Sequence, residues 1–179
     1  MTDSFRGGNT MAKRQVMAWD VRPSDWAVGF VQPYDAADCW QTRLLAGDSH
    51  DPIAWTEAVT ARPPKWVDAL MTLRNGIVRP FGLITNSKSS PDDRGFPVLG
   101  RREREAISGV SDSHLDFWVV TSIDDDMVRV ATYVRLKNTF GKLYWSVVQF
   151  FHPLVVKAAM ARAVVPSAQD GLDHHEYDE

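Results

Sequence analysis

A chain of 179 residues, 44% hydrophobic and 24% charged, is long enough to bury one continuous core, short for two, and too apolar for a disordered polymer. Its net charge of −3 hides a basic middle, +4 over residues 61–111, and an acidic end, −5 over residues 164–179. That excess is too small and too interrupted for nucleic-acid binding: Arg101, Arg102 and Arg104 are broken by Glu103 and followed by Glu105. The single cysteine, Cys39, excludes an internal disulfide and reads as a small core residue. No apolar run is long enough for a signal peptide or a membrane span, so a soluble cytoplasmic protein is the expectation.

Taken in chain order, residues 1–15 are polar with a glycine pair and read as a flexible leader; residues 16–163 form a single α+β domain. The first strand is expected at Asp38–Leu45, after a turn around Pro33. Asp51 and Pro52 then open a helix reaching Ala61, the carboxylate capping free amides and proline taking the first helical position. A second helix follows Pro63 and Pro64, with Trp66, Leu70, Leu73 and Ile77 in a stripe that faces a core. Residues Asn86–Gly95 have the composition of an exposed loop.

Three strands come next, Arg104–Ser111, Leu115–Ile123 and Met127–Lys137, the last two joined by a turn at Asp124, Asp125 and Asp126. One face of this hairpin carries Leu115, Phe117, Val119, Thr121 and Ile123 against Val128, Val130, Thr132, Val134 and Leu136. That is the core face. The other, with Asp116, Trp118, Tyr133 and Arg135, is mixed and partly wet, with Trp118 and Tyr133 able to pair across strands or sit under a partner. A long amphipathic helix capped by Asn138 or Thr139 runs from Thr139 to Ala163, with Phe140, Tyr144, Val147, Phe151, Leu154, Val155 and Ala158 on its inward side and a bend at Pro153. Residues 164–179 have little apolar content and read as a disordered acidic tail, in which His174 and His175 offer no preformed metal site. The fold class is therefore α+β: a short antiparallel sheet packed on a long C-terminal helix, with two helices after the first strand.

The combination of Gly109, Asp112, His114, Leu115, Asp116 and Phe117 with Asn138, Gly141, Leu143, Tyr144, Phe151 and His152 resembles a bacterial family known only as a domain of unknown function, DUF2867. Arg62, Pro63, Pro64, Trp66, Leu73, Arg74 and Asn75 extend the likeness, which covers roughly residues 33 to 163. Trp118, Lys137 and Phe150 depart from the pattern, standing where a basic residue, a histidine and a proline are expected. The element order is also similar to a reduced helix-grip fold of the polyketide-cyclase and lipid-transfer (START-like) type, which implies an apolar cavity between helix and sheet and hosts binding proteins and enzymes alike.

Such a cavity would be lined by Phe117, Thr132 and Val134 from the hairpin and by Tyr144, Phe151 and His152 from the helix. Tyr144 offers a hydroxyl to it and His152 an imidazole, the side chain suited to proton transfer near neutral pH. His114 and Asp116 lie two apart on a strand and read first as a surface pair, while the three adjacent aspartates lack the further oxygen ligands of a calcium loop. No phosphate loop, zinc spacing or nucleophile elbow is present, so no metal, no cofactor and no catalytic residue is assigned. The leading expectation is a binding module for a small apolar or amphipathic ligand. A cyclase- or hydratase-like enzyme using Tyr144 or His152 with Arg135, and a structural domain forming a homodimer through Trp118 and Tyr133, are the alternatives.

Overall fold

The computed structural model describes residues 14–60 and 96–167. The second helix expected after Pro63, the loop Asn86–Gly95, residues 1–13 of the leader and the tail beyond Ser167 lie outside the described residues.

The most local part of the fold is the hairpin. Strands β5 (Leu115–Asp124) and β6 (Met127–Leu136) of the eventual sheet run antiparallel in unbroken register from Leu115 opposite Leu136 to Asp124 opposite Met127. That leaves Asp125 and Asp126 as the turn. Asp125 has φ of 49°, in the left-handed region that a tight hairpin requires and that aspartate enters more readily than most residues. β4 (Glu105–Ser111) pairs with β5, and β3 (Val98–Arg101) with β4. On the other side, β2 (Ala36–Arg43) pairs with β6 along its whole length and carries β1 (Met17–Ala18) at its outer edge. The result is a six-stranded antiparallel sheet in the order β1-β2-β6-β5-β4-β3.

Three helices are described. α1 (Asp25–Val31) is capped by Ser24, whose hydroxyl accepts from the Ala27 amide. α2 (Pro52–Thr60) starts as the sequence indicates, with Asp51 accepting from the Ile53 amide at 3.0 Å. α3 (Thr139–Arg162) is capped by Asn138, whose side chain accepts from Gly141 N at 2.9 Å, and it runs through Pro153 to Arg162.

Alternation along the strands makes two cores. On one face Val119, Ile123, Val128 and Val130 pack against Trp55 and Val59 of α2 and against Val156, Ala159 and Met160 of α3. On the other, Cys39, Ile107, Val120, Ala131 and Tyr133 pack against Ala27 and Val31 of α1. The second face is thus not the partly wet surface expected from the sequence. Trp118 and Tyr133 do oppose each other across the strands, but Tyr133 is only 1% exposed and meets the Tyr34 ring edge-on at 5.0 Å. α1 is too short to show a helical period, which is why the sequence leaves this face open. Burial pushes the Tyr133 phenol up and the Cys39 thiol up to about 11, so Cys39 is a core residue and no nucleophile.

α3 is rotated from its expected setting. The sequence turns its most apolar side inward, yet Val147, Phe151 and Leu154 are 42%, 39% and 55% exposed, while Gly141, Val156, Ala159 and Met160 are buried. Close approach decides this orientation. A Cβ on Gly141 would collide with the His114 carbonyl oxygen, so only glycine lets the start of α3 rest on the turn between β4 and β5. At the far end Ala159 is buried in the core beneath the helix.

The ends are tied together. Arg14, within the expected leader, donates from Nε to Ala163 O at 3.0 Å and from Nη1 to Arg43 O at 3.2 Å, pairs with Asp48 at 2.6 Å, and lies 4.9 Å over the Trp55 ring. Beyond the expected end of the domain, Val165 is buried and its carbonyl accepts from Ser49 N at 2.6 Å.

Candidate functional site

The pairing of β2 with β6 sets Asp38 opposite Thr132, and the next inward-facing row sets Ala36, Val134 and Phe117 side by side. All of these lie on the face that α3 crosses. From α3, His152 brings Nδ1 to 2.8 Å from Asp38 Oδ2, with the two side chains 11% and 25% exposed. Aromatic rings surround the imidazole: Phe117 at 6.0 Å and Trp145 at 5.7 Å between centroids. Phe96 backs Phe117 at 5.3 Å.

The contact with Asp38 holds the His152 ring in one orientation, and in the neutral tautomer whose Nδ1 donates to the carboxylate Nε2 is left as an acceptor. Asp38 Oδ1 and Trp40 Nε1, on the same strand and the same face, are buried and find no hydrogen-bond partner among the described residues. Ser108 Oγ is likewise buried without one, on the row that runs Asp38, Thr132, Val119, Ser108 across the strands. At the usual strand spacing Asp38 and Ser108 are about 14 Å apart. The face thus presents an acceptor and a donor at Asp38 and Trp40 and a hydroxyl at Ser108, with Thr132 and Val119 between.

Of the residues anticipated to line this region, Phe117, Thr132, Val134 and His152 share one face. The Tyr144 ring meets His114 at 5.3 Å and stacks on Phe140. Phe151 turns outward. Arg135 is on the opposite face, 5.7 Å over Trp118, where it and Lys137 hold the buried Asp116. Arg135 thus lies across the sheet from His152, and the pairing of His152 with Arg135 expected for a cyclase- or hydratase-like site is not formed. His114 Nδ1 lies 3.4 Å from Asp112 Oδ2. Asp38 is the residue that the sequence reading took only as the start of a strand. Its phase with Trp40 and Thr42 was visible, but its partner lies 114 residues away.

The Asp116 cluster is structural and titratable. Burial acts to raise its pKa, but hydrogen bonds from Lys137, Ser111 and Arg135 and the Lys137 charge outweigh it, holding the carboxyl below its ordinary 3.8. A depressed carboxylate stabilises the fold at pH values above the unfolded pKa and loses that contribution as pH falls through the folded one. Urea midpoints should therefore be flat in this respect above about pH 5 and fall progressively as the pH drops below about 4. Asp116→Asn should remove that part of the slope and cost about 2 kcal/mol near neutrality, a value moderated by the partial exposure of both cations.

Among the described residues no group of His, Cys, Asp and Glu could hold a metal ion, and no helix is long and apolar enough to cross a membrane. No curated protein and no solved structure matches the chain. A family model does, over residues 30–159, a span that includes both Asp38 and His152 and runs from the end of α1 nearly to the end of α3. With most of its length so matched, the chain belongs to the family described as protein of unknown function, DUF2867.

Proposed function

We propose that the sheet face beneath α3 binds a small amphipathic molecule, its apolar part against Phe117, Phe96 and Trp145 and its polar end at Asp38 and His152. The observation that carries this reading is the 2.8 Å contact of Asp38 with His152 inside an aromatic wall. Withdrawing a carboxylate and an imidazole from water costs stability, and polar groups placed in an apolar wall orient a ligand bound against it. The unpartnered Asp38 Oδ1 and Trp40 Nε1 supply a further acceptor and donor to such a molecule. The order of elements supports a helix-grip likeness: the first long strand, β2, lies beside the last, β6, and the C-terminal helix crosses their shared face.

Native mass spectrometry and solvent extraction of freshly purified protein test the reading. A co-purifying or titratable amphipathic molecule is expected, with affinity reduced about tenfold by His152→Ala or Asp38→Asn. Failure to find any such molecule, together with full stability of both variants, would count against the site.

A second reading, proton-transfer catalysis, is favoured by the same pair, because the carboxylate makes Nε2 a general base. Incubation of the extracted molecule with fresh protein in deuterium oxide separates the two. Deuterium uptake at a carbon acid, or a mass change by one water, marks an enzyme; an unaltered ligand marks a binding protein.

A further inference from the structure

The outward side of α3 carries Leu143, Val147, Phe150, Phe151 and Leu154, exposed by 59%, 42%, 72%, 39% and 55%. At about 100° per residue they occupy one arc of the helix, on the side away from Gly141, Val156 and Ala159, which face inward. A contiguous apolar strip of this kind on a soluble domain marks a contact surface.

Charge identifies the partner. α3 contains Lys142, Lys157 and Arg162 and not one aspartate or glutamate, in a chain whose net charge is −3. On the helix surface Lys142 borders one edge of the apolar arc and Arg162 the other, while Lys157 sets its ammonium 5.1 Å over the Trp40 ring. A second copy on the same strip would set these cations against like charge, with no carboxylate on either helix to meet them. An anionic lipid surface meets both features at once, taking the phenylalanines and leucines into the acyl boundary and the cations among the headgroups.

We propose that the outer face of α3 docks on an anionic bilayer surface, the helix lying in the plane of the interface. The proposal stands apart from the ligand site, since these side chains point away from Asp38 and His152.

Co-sedimentation of the full chain with vesicles of phosphatidylcholine alone, and with an equimolar mixture of phosphatidylcholine and phosphatidylglycerol, is the direct test. The protein should pellet with the mixed vesicles, less so as salt is raised, and the double variant Leu143→Ser, Phe150→Ser should lower the bound fraction about tenfold while its melting temperature is unchanged. A Phe150→Cys variant carrying an environment-sensitive thiol dye reports the strip itself, because Cys39 is buried and its thiol is pushed up to about 11. A blue shift of the dye on adding mixed vesicles supports docking. No pelleting with either vesicle, or equal pelleting with both, overturns the proposal. So does a dye already in an apolar environment before lipid is added: light scattering then assigns the cover to a second copy if the protein is a dimer, and to residues 61–95 of the same chain if it is a monomer.

Discussion

Trp55→Ala should lower the stability of the domain by about 4 kcal/mol, measured by urea unfolding at equilibrium. The indole has 0% exposure and is a central member of the core between the sheet, α2 and α3. Truncation leaves a cavity bounded by Val119, Val128 and Met160, groups on three different elements that cannot all move to fill it. It also removes the donor that Nε1 supplies to Ser49 O at 2.9 Å and the ring over which Arg14 lies. Domains of this size have about 5–15 kcal/mol in total, so one substitution takes a large share. Trp55→Phe, which keeps most of the ring and loses the indole hydrogen bond, should cost about 2 kcal/mol or less. Equal losses for the two variants would mean that the hydrogen bond, and not the packing, holds α2 in place.

Gly141→Ala is expected to destabilise by about 2–3 kcal/mol, although in an ordinary helix interior the same change stabilises by up to about 1 kcal/mol. The two effects have opposite sign, so the measured direction decides between them. The added methyl would meet a backbone oxygen, that of His114, which also accepts from Lys137 N at 3.0 Å. Backbone cannot swing aside as a flexible side chain can. Either the first turn of α3 lifts off, loosening the contacts of Phe140 and Tyr144 with His114, or the β4–β5 turn gives up its bond to Lys137. Thermal melting gives the magnitude, and the His114 ring resonances in a proton spectrum show which of the two moves.

Both substitutions touch parts of the fold that were unequally legible in the sequence. α2 was readable from Asp51 and Pro52, because capping is a local matter of one carboxylate and the next few amides. The β5–β6 hairpin was readable almost to the residue, since its alternation and its turn lie within one short stretch. α1, β1 and β3 were not. They are short, and a strand of two residues or a helix of seven carries too few positions to show a period. The rotation of α3 misled for a different reason. Hydrophobicity ranks faces by how much burial would stabilise, whereas a glycine and an alanine won the inward side by how near they let the helix come.

The candidate site divides in the same way. Phe117, Thr132 and Val134 followed from the phase of the hairpin, and His152 from its place in the long helix. Asp38 depended on β2 choosing β6 as its neighbour, a pairing between residues some ninety positions apart that no local pattern encodes. Tyr144 and Phe151 were placed on the ligand side by the same helical wheel that misplaced the rotation of α3.

Arg14 gives the folded chain one more property. Its guanidinium reaches Ala163, Arg43 and Asp48 at once, so residues 14 and 163 lie within the span of a single side chain. A short linker there, with a new opening cut at the Asp125–Asp126 turn, would yield a rearranged polypeptide with the same neighbours in space.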